Sequence, residues 1–150
     1  MKTNSASGSA PAPRIADPTE TLLVVDDDYS VRDLEAQILR LHGYNVLEAE
    51  DAMEALRLAG QTATIHLLIT DFAMPEIDGL ELSRRFRAVH PKAPVLMVSG
   101  SFALIQNRAE DLDHFEFLAK PFQFDALLRK VRALLDATVP LPSRRPWCCD

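Results

Sequence analysis

Between residues 21 and 137 the chain alternates short apolar runs with longer stretches whose apolar residues recur every three or four positions. The runs TLLVV (21–25), NVLEA (45–49), IHLLIT (65–70), PVLMV (94–98) and FEFLA (115–119) read as strands. Val31, Leu34, Ile38 and Leu41 give a first helix its apolar face, and Gly43 closes it. Ala52, Ala55, Leu56 and Ala59 mark a second helix over 51–60. Leu82, Phe86 and Val89 mark a third, bounded by Pro91 and Pro94. Phe102, Ile105, Ala109 and Leu112 predict a fourth, and Phe124, Leu127, Leu128, Val131, Leu134 and Leu135 a last one. Strands apolar on both faces that alternate with helices imply a parallel sheet covered on both sides. Five are too few for a closed eight-stranded barrel. The expected class is therefore α/β, an open, doubly wound, five-stranded parallel sheet.

The flanks lack this pattern. Residues 1–20 are rich in Ser, Ala and Pro and are expected to be disordered; residues 139–150, with the tail PLPSRRPWCCD, are expected to be an irregular extension of a domain spanning 21–138. No apolar run reaches the roughly 18 residues of a membrane span, and the N-terminus has no apolar signal core. A formal charge of −6 argues against nucleic acid or an anionic membrane as partner. The two cysteines, Cys148 and Cys149, are adjacent and build no disulfide framework, so a cytoplasmic location is expected.

Polar residues fall at the strand ends, and in open α/β sheets the functional crevice lies beyond those ends, where strand order reverses. Asp26, Asp27 and Asp28 follow the first strand, Asp71 the third, Ser99 the fourth and Lys120 the fifth. With strand order 2-1-3-4-5, Asp26, Asp27 and Asp71 converge. Two unit charges 4 Å apart repel by about 4 kcal/mol at an effective dielectric near 20, so the cluster must share protons or bind a cation. An all-oxygen donor set suits Mg²⁺ or Mn²⁺ better than zinc. Carboxylates, a hard cation, a lysine and a hydroxyl are the parts that stabilise a phosphoryl group in transfer.

The pieces VVDDD, DFAMP with Gly79 closing its loop, VSG and KPF, in this order on this frame, resemble the response-regulator receiver domain, with its flavodoxin-like fold. The resemblance covers residues 21 to about 137 and extends to receivers fused to hybrid histidine kinases. It implies that Asp71 is the phosphoacceptor and that Asp26, Asp27, Asp71 and the backbone carbonyl of Ala73 hold Mg²⁺. It further implies that Lys120 and Ser99 bind the phosphoryl oxygens, that Phe117 is the switch aromatic, and that the Lys120–Pro121 bond is cis. The phosphodonor would be a histidine kinase or a histidine phosphotransfer protein, and output would pass to a downstream protein of unknown identity. The output face would comprise the 102–112 helix, the fifth strand and the last helix, a face that could also pair two copies into a homodimer.

Some residues have plainer roles. Asp28 is expected to cap the first helix, Glu50 and Asp51 to open the second, and Arg84, Arg85 and Arg87 to form a solvated face. No histidine pair has metal spacing. EDLDHFEFL lacks the Gly-Ala that commonly precedes the fifth strand in similar receivers. The small Ala73 and Ser101 stand where the family tunes phosphate lifetime. Nothing after residue 140 has the length of an effector domain, so a single-domain regulator, not an enzyme on other substrates, is the expectation. The alternative is a receiver-like scaffold that works without phosphorylation. A Mg²⁺-dependent phosphatase is disfavoured because Ala73 replaces its second carboxylate. A nucleotide-binding domain is disfavoured because no Gly-rich loop follows a strand.

Overall fold

The structure is a computed structural model, and it describes residues 20–100 and 115–137. Five parallel strands, β1 (Thr21–Val25), β2 (Asn45–Ala49), β3 (Leu67–Asp71), β4 (Val95–Ser99) and β5 (Glu116–Ala119), form one sheet in the order β2-β1-β3-β4-β5. This is the expected order, and it makes β1 and β3 direct neighbours at the reversal. Around the sheet lie α1 (Tyr29–Leu41), α2 (Ala52–Gln61), α3 (Gly79–Val89) and α4 (Phe124–Ala137). The helix expected over 102–112, and with it much of the expected output face, lies outside the described residues, as do the two flanks. No helix among the described residues is long and apolar enough to cross a membrane.

Side chains alternate faces along each strand, and the two faces build two cores. Leu23, Val25, Leu68 and Met97 pack beneath α2 and α3 with Ala55, Leu80 and Phe86. Leu22, Val24, Leu67, Ile69, Leu96 and Val98 pack beneath α1 and α4 with Ala36, Leu39, Leu127 and Val131. Local signals fix the helix ends. The Asp28 carboxylate accepts from the Ser30 and Val31 amides, Asp51 from Glu54 and Asp78 from Glu81, so each satisfies an otherwise unpaired first-turn donor. At the end of α1, Gly43 adopts φ 95°. The Tyr44 amide then reaches the Leu39 carbonyl and the Gly43 amide the Arg40 carbonyl, a Schellman closure that favours glycine.

The buried face of α1 is not the one its apolar spacing predicts. Leu34 is 50% exposed and Leu41 79%, whereas Glu35, Ala36 and Leu39 are buried. Two arginines account for the rotation. Arg32 donates to the Asp26 carbonyl at 2.8 Å and Arg40 to the Val46 carbonyl at 2.8 Å, and both pair with Glu48. These contacts draw the 32–36–40 side of the helix across β1 and β2. The basic run of α3 also divides: Arg84 and Arg85 pair with Glu81 in solvent, but Arg87 lies 4.6 Å from the Phe115 ring centroid.

At the edge of the sheet away from the site, Arg132 of α4 fastens the chain entering β1. Its guanidinium donates to both Glu20 carboxylate oxygens, at 3.1 and 2.9 Å, and to the Tyr44 hydroxyl at 3.2 Å. Arg132→Ala is expected to lower unfolding free energy by about 2 kcal/mol, the usual worth of hydrogen bonds to charged groups. Urea denaturation measures this; a midpoint matching wild type would show the cluster to be solvent-equivalent.

Candidate phosphoryl-acceptor site

The strand register explains why the carboxylates meet. Val25 pairs with Thr70, so Asp26 and Asp71 are each the next residue beyond the last paired position of β1 and β3. Carboxylate oxygens of Asp26, Asp27 and Asp71 lie within 4.8 Å of one another. Asp26 is 2% exposed, and one of its oxygens accepts the Asp28 amide at 2.9 Å. From the end of β5, Lys120 Nζ reaches the other Asp26 oxygen at 3.1 Å and Asp71 Oδ2 at 3.6 Å. Its backbone amide bonds the Ser99 carbonyl at 2.8 Å, which ties the ends of β4 and β5 together. The Lys120–Pro121 bond is cis.

Three carboxylates and one lysine leave the pocket short of positive charge. Burial pushes the Asp71 carboxyl up to about 6; Lys120 pulls it down, and Asp26 and Asp27 push it further up. Burial also opposes the Lys120 ammonium, but the hydrogen bond and charge of Asp26, with Asp71 and Glu35 behind, hold it above the ordinary lysine value. The surplus negative charge and the all-oxygen donor set fit a hard divalent cation such as Mg²⁺. On the acidic side Asp27, Glu50, Asp51, Pro75 and Glu76 line an open cavity of about 290 Å³.

The structure thus brings Asp26, Asp27, Asp71 and Lys120 together. Ser99 ends β4 beside Lys120 and is buried; Ala73 is exposed in the loop after β3. Phe117 lies on β5, partly buried against the core beneath α2 and α3.

Comparison with known proteins gives the frame a family. Residues 22–132 match the response regulator receiver domain. The chain belongs to that family. Among its relatives, response regulator MprA of Mycobacterium leprae is 35% identical over 120 residues, 79% of this chain and 52% of MprA. MprA of Mycobacterium avium is 36% identical with the same coverage. The chain therefore spans about half the length of these relatives. Among solved structures, the receiver domain of hybrid histidine kinase CckA is 39% identical, with a TM-score of 0.67 over 77% of this chain and 98% of that one. A CheY-like receiver from Methanospirillum hungatei is 30% identical, with a TM-score of 0.72 over 79% and 95%.

Two residues of this receiver's site escape a reading of strand ends alone. Arg32 props the β1–α1 loop through the Asp26 carbonyl. Glu35 is 2% exposed, and its Oε2 has no hydrogen-bond partner among the described residues. Burial, then the charge of Asp26, pushes its carboxyl up to about 8 against the pull of Lys120, with Asp71 adding to the rise. The only sequence signal for Glu35 is that it continues a line with Val31 and Leu39, at four-residue intervals.

Proposed function

We propose that this receiver accepts a phosphoryl group on Asp71 from a phosphohistidine of a histidine kinase or histidine phosphotransfer protein, and signals by protein contact. The observation that carries the reading is the convergence of Asp71 with Asp26, Asp27 and Lys120 at one pocket. An Asp71 oxygen attacks phosphorus, the phosphorus–nitrogen bond breaks, and the electron pair leaves with the imidazole, giving an acyl phosphate. Asp26, Asp27, Asp71 and the Ala73 carbonyl would hold Mg²⁺. When bound, that ion supplies Lewis-acid stabilisation of the phosphoryl oxygens. Lys120 supplies a fixed positive charge to the same oxygens, and Ser99 a hydroxyl donor.

Phosphorylation adds negative charge and acceptor oxygens, which Ser99 and Lys120 can bind as donors. Phe117 has no hydroxyl, so its part in the readout is packing. In this reading the protein is a cytoplasmic regulator whose only chemistry is on itself.

The test is intact mass after incubation with acetyl phosphate, with Mg²⁺ and with a chelator. A single phosphoryl adduct that requires Mg²⁺ is expected. A folded protein that takes up neither phosphate nor beryllofluoride would instead be a scaffold independent of phosphorylation.

A further inference from the structure

Around Lys120, ammonium donors and one nearby acceptor remain to be matched. A lysine ammonium carries three donors and no acceptor. Here it bonds Asp26 Oδ2 at 3.1 Å and lies 3.6 Å from Asp71 Oδ2. Both of those oxygens belong to the carboxylates that would turn to a cation and a phosphoryl group, and the other Asp26 oxygen already holds the Asp28 amide. Glu35 is the converse case, a buried carboxyl whose Oε2 accepts no hydrogen bond among the described residues.

The two side chains share a cavity. Glu35 and Lys120 both line a groove of about 430 Å³ between α1 and the β5–α4 connection, whose other walls include Val31, Leu34 and Phe122. Among apolar neighbours an unpartnered buried acceptor costs stability, and native structures keep few of them. A leucine would suit such walls better. The charged groups that act on Glu35 are those of the site itself: Asp26 beyond β1, Asp71 at the end of β3 and Lys120 beyond β5.

We propose that Glu35 is a positioning residue of the phosphoryl-acceptor site, acting through Lys120 as the acceptor that takes up the ammonium donors released by Asp26. This rests on the phosphoryl-acceptor reading given above. Lys120 can then leave Asp26 for the phosphoryl oxygens without stranding a half-buried donor. The hold must be adjustable. As a neutral carboxyl, Glu35 accepts weakly and lets Lys120 go; as a carboxylate it competes with the phosphoryl group for the same cation.

The experiment compares wild type, Glu35→Gln and Glu35→Leu by the rate of adduct formation from acetyl phosphate and Mg²⁺, from about pH 6 to about pH 9. Thermal melting without metal is measured in parallel. Glu35→Leu is expected to melt above wild type yet to take up phosphate roughly tenfold more slowly. Glu35→Gln keeps an acceptor and should stay within about threefold of wild type below about pH 8. Above about 8, where Glu35 ionises, wild type should slow and Glu35→Gln should not.

Wild-type rates in Glu35→Leu across the whole pH range would overturn the proposal. Equal slowing of both variants with lowered melting temperatures would also overturn it, since that pattern is damage to packing. Absence of a Mg²⁺-dependent adduct in wild type would remove the phosphoryl-acceptor reading and this one together. An adduct in wild type with an unaltered Glu35→Leu would remove this one alone.

Discussion

Asp71→Asn is expected to abolish the Mg²⁺-dependent phosphoryl adduct while leaving the fold at least as stable as wild type. The amide has no carboxylate oxygen to attack phosphorus, and no neighbour can replace it from the same position. Asp26 is 2% exposed, with its oxygens engaged by the Asp28 amide and Lys120, and Asp27 belongs to the adjacent loop. Stability should move the other way. In the folded state Asp71 titrates at about 6 rather than 3.8, so its contribution favours folding below pH 3.8 and is lost as pH rises through about 6. At neutral pH without metal the ionised group is therefore a burden on the order of 2 kcal/mol, which the neutral amide lacks. Melting without metal should show Asp71→Asn at or above wild type, and added Mg²⁺ should stabilise wild type more than the variant. A variant that still gains a single phosphoryl group would move the acceptor elsewhere; one that melts well below wild type would mean that Asp71 also holds the pocket together.

Much of this arrangement is legible in the chain because it depends on backbone topology. Parallel strands deliver their last residues to one edge, so Asp26, Asp71, Ser99 and Lys120 could be placed once the strands were counted and ordered. Caps were legible for a similar reason, because Asp28 acts on its own first turn through amides two and three residues away. The rotation of α1 was not. A stripe through Val31, Leu34, Ile38 and Leu41 is the more apolar one, yet the helix turns Ala36 and Leu39 inward because Arg32 and Arg40 find carbonyls on the strand edges. Sequence spacing registers apolar transfer energy and is blind to backbone acceptors in neighbouring strands. The same rotation carries Glu35 out of solvent, against the strong bias of glutamate for the surface. That buried glutamate lines the same groove as Lys120.

Gly79 holds the other side of the site, and Gly79→Val should cost more than any surface change in the molecule. The residue is buried at the start of α3, where its amide donates to the Phe72 carbonyl at 2.8 Å. A Cβ there would stand 2.5 Å from the Asp71 carbonyl oxygen, 3.0 Å from the Phe72 Cα and 3.2 Å from the Met97 sulfur. The methionine could yield, but the two backbone atoms could not move without shifting the end of β3. Overpacking of this kind typically costs about 1–3 kcal/mol, and a branched side chain lies at the upper end. Because the clash falls on the peptide that carries Asp71, the folded fraction should also phosphorylate more slowly. Gly60 provides the contrast, since a Cβ there meets nothing within 4 Å. It lies in α2, so Gly60→Ala should stabilise by about 0.5–1 kcal/mol through helix propensity. Urea denaturation separates the two glycines, and the phosphorylation rate then distinguishes a displaced Asp71 from a merely destabilised fold. A Gly79→Val protein with wild-type stability and rate would mean that the β3–α3 loop gives way freely, and that the close approach of α3 to Asp71 does not set the acceptor's position.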